Sequence, residues 1–418
     1  MRSRKDNGWR VSGRFRLAYW QRIVILLCFG WVAIWMYRTT LTPIYGEMRA
    51  SLGVTSDAGV GAIVSIYFLS YTALQIPAGF LMDRVGSKTM LLPGFALFAA
   101  AAAIIGSASS IEMVYLGSLL AGIGTGVYYG SAYSLVGQTI HLANRTFSTA
   151  VINSGSAIGM GMGLIGASWL VKSLDLPWNS ALYSVCAVIL LALLCFALFI
   201  RSPDRDAAHT TTETPVEQDA SGTTELFSLR SIATYTLTFS ICYGYYMMVS
   251  WLPNFLETER GFQGVAVGMT ASLLGFAAIP GALGISHVAD RFRQWRLRML
   301  VGLSLCSTLT FALIVTAQTP GLLLTGLLLY GLTGKLAVEP MLLAHVIEGA
   351  PHRKMGTYLS VLNFFGMAAA VVAPLLTGVI SDLFRSKVGG FYVSIGVLLV
   401  SIVFFLHVNR GRGRQQER

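Results

Sequence analysis

"GFLMDRVGSK" (79–88) is a charged island between two long apolar runs. Residues 58–82 before it carry no Asp, Glu, Lys or Arg, and residues 89–107 after it carry none either. A bilayer core about 30 Å thick is crossed by about 20 apolar residues of helix. Each flank is therefore long enough to span, and the island reads as the turn where the chain meets water. A second island, "SHVADRFRQWR" (286–296), stands about 210 residues further on, again with an Asp-Arg pair and apolar flanks. The chain reads as two copies of one multi-span unit.

The rest of the sequence extends this pattern. Of 418 residues, 54% are hydrophobic and 12% are charged, well below the roughly 25% charged of a soluble domain. Alternating ten-residue strands are absent, which excludes a membrane β-barrel. Twelve membrane helices are predicted at 21–50, 57–82, 88–107, 111–140, 145–171, 178–200, 232–257, 264–288, 296–317, 320–348, 354–384 and 389–408. The domain organisation is a basic segment 1–20, a first bundle 21–200, a linker 201–231, a second bundle 232–408 and a basic tail 409–418. The linker, "RSPDRDAAHTTTETPVEQDASGTTELFSLR", is polar and Thr-rich, as flexible connections are. Other landmarks share the repeat: Pro43 and Pro253 are expected to end similar aromatic helices, and Gly122 pairs with Gly331 and Asn153 with Asn363. Parallel six-helix repeats with a site between them are one of the transporter architectures.

The net charge of +11 is a topology signal, and no nucleic-acid partner is expected. With the N-terminus inside, most basic residues fall in cytoplasmic segments, so both termini are placed in the cytoplasm, in a bacterial inner membrane, with anionic lipid as a contact. The five cysteines lie in apolar helices without a C-x-x-C, so no metal site or disulfide is expected, nor any cofactor. "GLTGK" (331–335) has Leu329 and Leu336 where a phosphate loop needs glycine and a hydroxyl residue.

The island's residues Gly79, Asp83, Arg84, Gly86 and Lys88 match G-x-x-x-D-R-x-G-x-K, and on them the chain resembles the major facilitator superfamily over nearly its whole length. Asp290 and Arg291 belong to a degenerate second copy, with Ser286 in place of the glycine. The resemblance implies an all-α fold of two pseudo-symmetric six-helix bundles, alternating access, and a conformational latch in which Asp83 meets the start of helix 11 near Gly356. "RTFSTAVINSGSAIGMGMGLIGASWLV" (145–171) and "GTYLSVLNFFGMAAAVVAPLLTGVISD" (356–382) look like the organic anion:cation symporter branch. Helix 5 lacks the Gly-Pro that closes the glycine series in the drug-efflux branch. Its Gly155, Gly159 and Gly163 share one face, which serves either static packing or a sliding gate surface.

Three ionisable residues sit well inside predicted spans: Arg38, Lys335 and Glu339. A charge at mid-membrane costs about 2.5–3.5 kcal/mol on insertion scales, so it faces a bundle interior or a watery cavity. Helical spacing puts Trp31, Trp35, Arg38, Thr42 and Tyr45 in one sector of helix 1. A guanidinium fork suits a carboxylate and indoles hold a planar apolar group, so Arg38, Trp31, Trp35 and Thr42 are substrate candidates. A snorkelling arginine or a salt bridge between helices is the alternative. Lys335 and Glu339 are one turn apart; either they neutralise each other, or Lys335 touches substrate and Glu339 carries the coupling proton. Pro340 is expected to loosen that helix. Tyr129, Tyr133 and Tyr245, the repeat equivalent of Trp35, are further substrate candidates, with packing as the alternative for each. Glu47, Asp57 and Glu257 lie near helix ends, where charge needs no special role. The expected function is secondary transport: proton-coupled uptake of a small organic anion or zwitterion. The alternatives are a proton-antiporting exporter of amphiphilic small molecules and a membrane sensor without transport.

Overall fold

The computed structural model describes residues 18–200, 226–349 and 355–409. Segments 1–17, 201–225 and 410–418, which hold most of the basic N-terminus, linker and tail, lie outside the described residues, as do the side chains of Asp83, Arg84 and Asp290. The described chain is helical throughout, without strands among the described residues.

The first half contains α1 (Tyr19–Leu52), α2 (Asp57–Val85), α3 (Ser87–Gly106), α4 (Ile111–Thr139), α5 (Leu142–Ser168, continued by a π turn Trp169–Ser173) and α6 (Asn179–Phe199). The second half contains α7 (Leu229–Thr258), α8 (Val265–Arg291), α9 (Arg296–Thr316), α10 (Pro320–Thr333, then Lys335–Gly349), α11 (Met355–Phe384) and α12 (Val388–Asn409). Eleven of these are long and apolar enough to cross a membrane among the described residues. The twelfth, α7, is 30 residues long and rich in Ser, Thr and Tyr. Local signals set the ends. Ser56 caps α2 by accepting from Gly59 N at 3.2 Å, and Thr319 caps α10 just before Pro320. Between α2 and α3, Gly86 turns the chain at φ 85°, a conformation that glycine alone takes without strain.

Three details of the expected helices are corrected. α1 is interrupted: a 3-10 turn over Thr42–Ile44 contains Pro43, and the helix resumes at Tyr45. Pro253 does not end α7 but lies inside it, as membrane helices tolerate when neighbours take over the freed backbone groups. α10 breaks at Gly334, not at Pro340, which sits inside the second segment. There Gly334 has ψ −155°, and Ser307 on α9 donates to the Thr333 carbonyl at 3.1 Å.

Within the first half α1 lies along α5. A methyl added at Gly155, Gly159 or Gly163 would overlap the carbonyl of Cys28, Val32 or Met36 respectively. The glycine face of α5 is therefore static packing against α1 of the same half. The halves meet elsewhere, where α2 faces α11 and α5 faces α8. Gly61 has no room for a side chain against Pro374, nor Gly268 against Leu164.

Candidate functional site

One end of the bundle is sealed by polar contacts between halves. Asp382, at the end of α11, accepts from the backbone N–H of Asp57 at 2.7 Å and of Ala58 at 2.9 Å, and from the Ser56 hydroxyl at 2.7 Å. A carboxylate of the second half thus caps a helix of the first. Asp57 in turn pairs with Arg49, accepts from Ser381 at 2.6 Å and meets Lys387 Nζ at 2.8 Å. Beside them Lys172 lies between Glu47 and Glu257. Glu47, Asp57 and Glu257 thus do more than occupy helix ends: they bind α1, α2, α5, α7 and α11 together. At the opposite end, which carries Asp83, one hydrogen bond joins the halves among the described residues: Asn363 Nδ2 to Gln75 Oε1 at 3.3 Å. Tyr129, Ile158 and Phe364 are exposed. Of the loop signature, Lys88 donates to the Ala197 carbonyl on α6 at 3.3 Å, Gly79 borders open space, and Arg291 ends α8 exposed.

Arg38 lies between these ends. Its guanidinium carbon is 5.9 Å from the Trp31 ring, 5.1 Å from Trp35, 5.3 Å from Tyr67, 5.1 Å from Phe68 and 4.9 Å from Tyr71. A cation is attracted to such ring faces. Nε donates to the Tyr67 hydroxyl at 2.9 Å, while Nη2 is buried without a hydrogen-bond partner. No carboxylate among the described residues pairs with Arg38. The side chain lies among rings of α1 and α2. A narrow cavity of about 20 Å³, bounded by Tyr37, Arg38, Tyr45, Tyr67, Phe68 and Ser118 among others, lies within the first half and holds little more than one water.

Lys335 is arranged differently. Its Nζ meets Glu339 Oε2 at 2.9 Å; its side chain is 9% exposed and that of Glu339 is 45% exposed. The Tyr245 ring lies 5.4 Å from Nζ. Tyr245 also meets Trp35, its repeat equivalent, edge-on at 6.4 Å. The two cations thus stand on either side of an aromatic contact between halves. Tyr129 packs against Trp31 at 6.5 Å and against Tyr133 at 4.6 Å. Tyr133 donates to Asn153 Oδ1 at 2.5 Å. Trp31, Trp35, Arg38, Tyr129, Tyr133, Tyr245, Lys335 and Glu339 are therefore brought together around the middle of the molecule.

Thr42 is not. The 3-10 turn breaks the 100° register, and Thr42 is buried with its hydroxyl donating to the Thr39 carbonyl at 2.9 Å. Tyr45, past the turn, borders the cavity beside Arg38 and packs on Trp251. Sequence reasoning missed Tyr67, Phe68 and Tyr71. The available signal was "YFLSY" (67–71), which repeats a tyrosine after one helical turn.

Residues 27–374 match the family model described as Major Facilitator Superfamily, and the chain belongs to that superfamily. Among curated relatives, the multidrug resistance protein MdtL of Escherichia coli O45:K1 is 28% identical over 60% of this chain. The probable anion transporter 6 of Oryza sativa subsp. japonica is 25% identical over 49% of it. These matches span 62% and 50% of the relatives' own lengths. The structure of a bacterial homolog of the human lysosomal transporter Spinster superposes with a TM-score of 0.78 at 14% identity, covering 94% of this chain and 98% of that one. The nucleoside transporter NupG superposes with a TM-score of 0.71 at 16% identity, covering 94% and 99%. At such identities the likeness shows the fold.

Proposed function

We propose that this chain carries a small organic anion or zwitterion across a bacterial inner membrane by alternating access, driven by protons moving the same way. One observation carries the reading: Arg38 is enclosed by five rings with no carboxylate beside it among the described residues. A cation partly withdrawn from water is costly without a partner, and a substrate carboxylate supplies the missing charge. Glu339 is the proton site: its side chain is 45% exposed and it already shares a cation, Lys335. An anion drawn to Lys335 competes with Glu339 for the same cation and leaves the carboxylate a place for a proton. Substrate and proton then bind together, and by reciprocity low pH tightens substrate binding.

The sealed Asp57 end faces outward and the Asp83 end faces the cytoplasm, as do residues 1–20 and 409–418. The described conformation is then open inward. Asp83 is the latch of the inner end, meeting the start of α11 near Gly356 when that end closes. Uptake into liposomes under an inward proton gradient tests the reading. It stands if Arg38→Lys weakens affinity and Arg38→Ala abolishes uptake in normally inserted protein; it falls if Arg38→Ala transports like the parent. The similarity to MdtL, named as a multidrug resistance protein, supports a second reading, proton-antiporting export of amphiphilic molecules. Adding a protonophore lowers accumulation under the first reading and raises it under the second.

A further inference from the structure

Arg38 does not reach its enclosure alone. Thr125 on α4 donates its hydroxyl proton to the Ala121 carbonyl at 2.8 Å. Its oxygen therefore faces Tyr67 as an acceptor, and the two hydroxyls lie 2.8 Å apart. The Tyr67 proton must then point at Thr125, which turns the phenol oxygen toward Arg38 Nε at 2.9 Å. The three bonds run in one direction, from guanidinium to phenol to threonine to backbone, and successive bonds in such a chain polarise one another. Tyr67 and Thr125 are both buried. The Tyr67 ring is further held by stacking on Tyr71 at 6.2 Å.

A guanidinium offers two bidentate edges, one that includes Nε and one made of the two terminal nitrogens. We infer that Tyr67 is a positioning and specificity residue: it occupies Nε, so Arg38 presents only its end-on fork, and the anion taken there is a planar carboxylate rather than a tetrahedral oxyanion. This rests on the reading of Arg38 as the substrate's cation. Nη2 is common to both edges; it has no partner, and with Nε taken it can bind bidentately only together with Nη1. Five ring centroids lie 4.9–5.9 Å from the guanidinium carbon, so an anion reaching the fork meets ring faces. A carboxylate has both oxygens in the plane of the fork and enters edgewise. The third oxygen of a sulfonate projects out of that plane, toward the rings.

The test uses the full chain in detergent, with benzoate and benzenesulfonate as probes, followed by thermal shift and by the fluorescence of the tryptophans beside the site. The parent is expected to bind benzoate at least about 10-fold more tightly than benzenesulfonate. Tyr67→Phe, which keeps the ring, is expected to weaken benzoate about 10-fold and to bring the two probes within about threefold. Thr125→Val should shift the preference the same way by less, and Thr125→Ser, which keeps the hydroxyl, should restore it. A purely structural role would not lose discrimination while keeping the melting temperature of the empty protein. The inference is overturned if folded Tyr67→Phe keeps both affinity and preference, or if the parent binds neither probe. Failure of the Arg38 reading looks different: Arg38→Ala would then hold both probes as the parent does.

Discussion

Lys335 meets a carboxylate one turn along its own helix at 2.9 Å; Arg38 meets five aromatic rings, one of which, Tyr67, also accepts a hydrogen bond from it. Each cation lies in the first or fourth helix of its half, and the rings of Trp35 and Tyr245 join them. The difference is chemical. A lysine ammonium is a compact charge that a single carboxylate satisfies, whereas a guanidinium keeps donors free after its first bond. The second half carries its charge as a closed pair. The first carries it as an open valence, enclosed by π faces that soften the cost without supplying an anion. On the proposed reading, an anion has one cation to win outright and a second to win only in competition with Glu339.

The largest expected effect breaks this contrast at its open member. Arg38→Ala should lower uptake at least about 100-fold, equivalent to about 3 kcal/mol for truncating one partner of a desolvated charge pair, with surface expression unchanged. Next comes the closed pair. Glu339→Gln should abolish proton-driven accumulation while counterflow between two substrate pools persists, both measured in the same liposomes. Retained accumulation would move the proton site elsewhere. Loss of both activities in folded protein would make Glu339 a structural partner of Lys335 or a substrate contact. The stability cost should stay near 1 kcal/mol, because the Glu339 carboxylate is 45% exposed.

The two ends sharpen the contrast at a smaller scale. Asp382→Asn removes the charge that caps α2 and should favour the state open at the Asp57 end by about 1–2 kcal/mol, read as faster labelling of cysteines placed near Ser56. Asp83→Asn should move labelling the other way and slow transport without unfolding. Last, Thr42→Val should change uptake little and stability by less than about 1 kcal/mol, since its hydroxyl serves only the Thr39 carbonyl.

The spans and the repeat were legible because lipid imposes length and apolarity on every helix alike. Arg38, Lys335 and Glu339 were legible for the opposite reason, as charges that violate that rule. The surroundings of Arg38 were not. "YFLSY" is as apolar as its neighbours, and nothing in helical spacing says which face of α2 meets α1. The register of α1 was misjudged past Leu41 because a single proline turn shifts every later residue around the axis. The seal at Asp57 was hidden by distance: its partner Asp382 lies 325 residues away in the chain. A carboxylate at a helix end also looks complete by itself until the opposing helix is known. The break at Gly334 was masked by Pro340, the more conspicuous breaker, six positions on.

The hydroxyl-rich α7 has a consequence for how the protein is made. Thr234, Thr238, Ser240 and Thr258 donate to carbonyls of their own helix, and Trp251 donates to the Pro374 carbonyl on α11 at 3.0 Å. Ser240 also bonds Ser401 on α12. A helix this polar partitions into lipid weakly when it leaves the translocon, and its partners are synthesised more than a hundred residues later. α7 should therefore wait at the insertion machinery, or slip back, until α11 and α12 arrive to cover it. Nascent chains stopped before residue 355 should show α7 accessible to aqueous labelling, and chains stopped after residue 409 should show it protected.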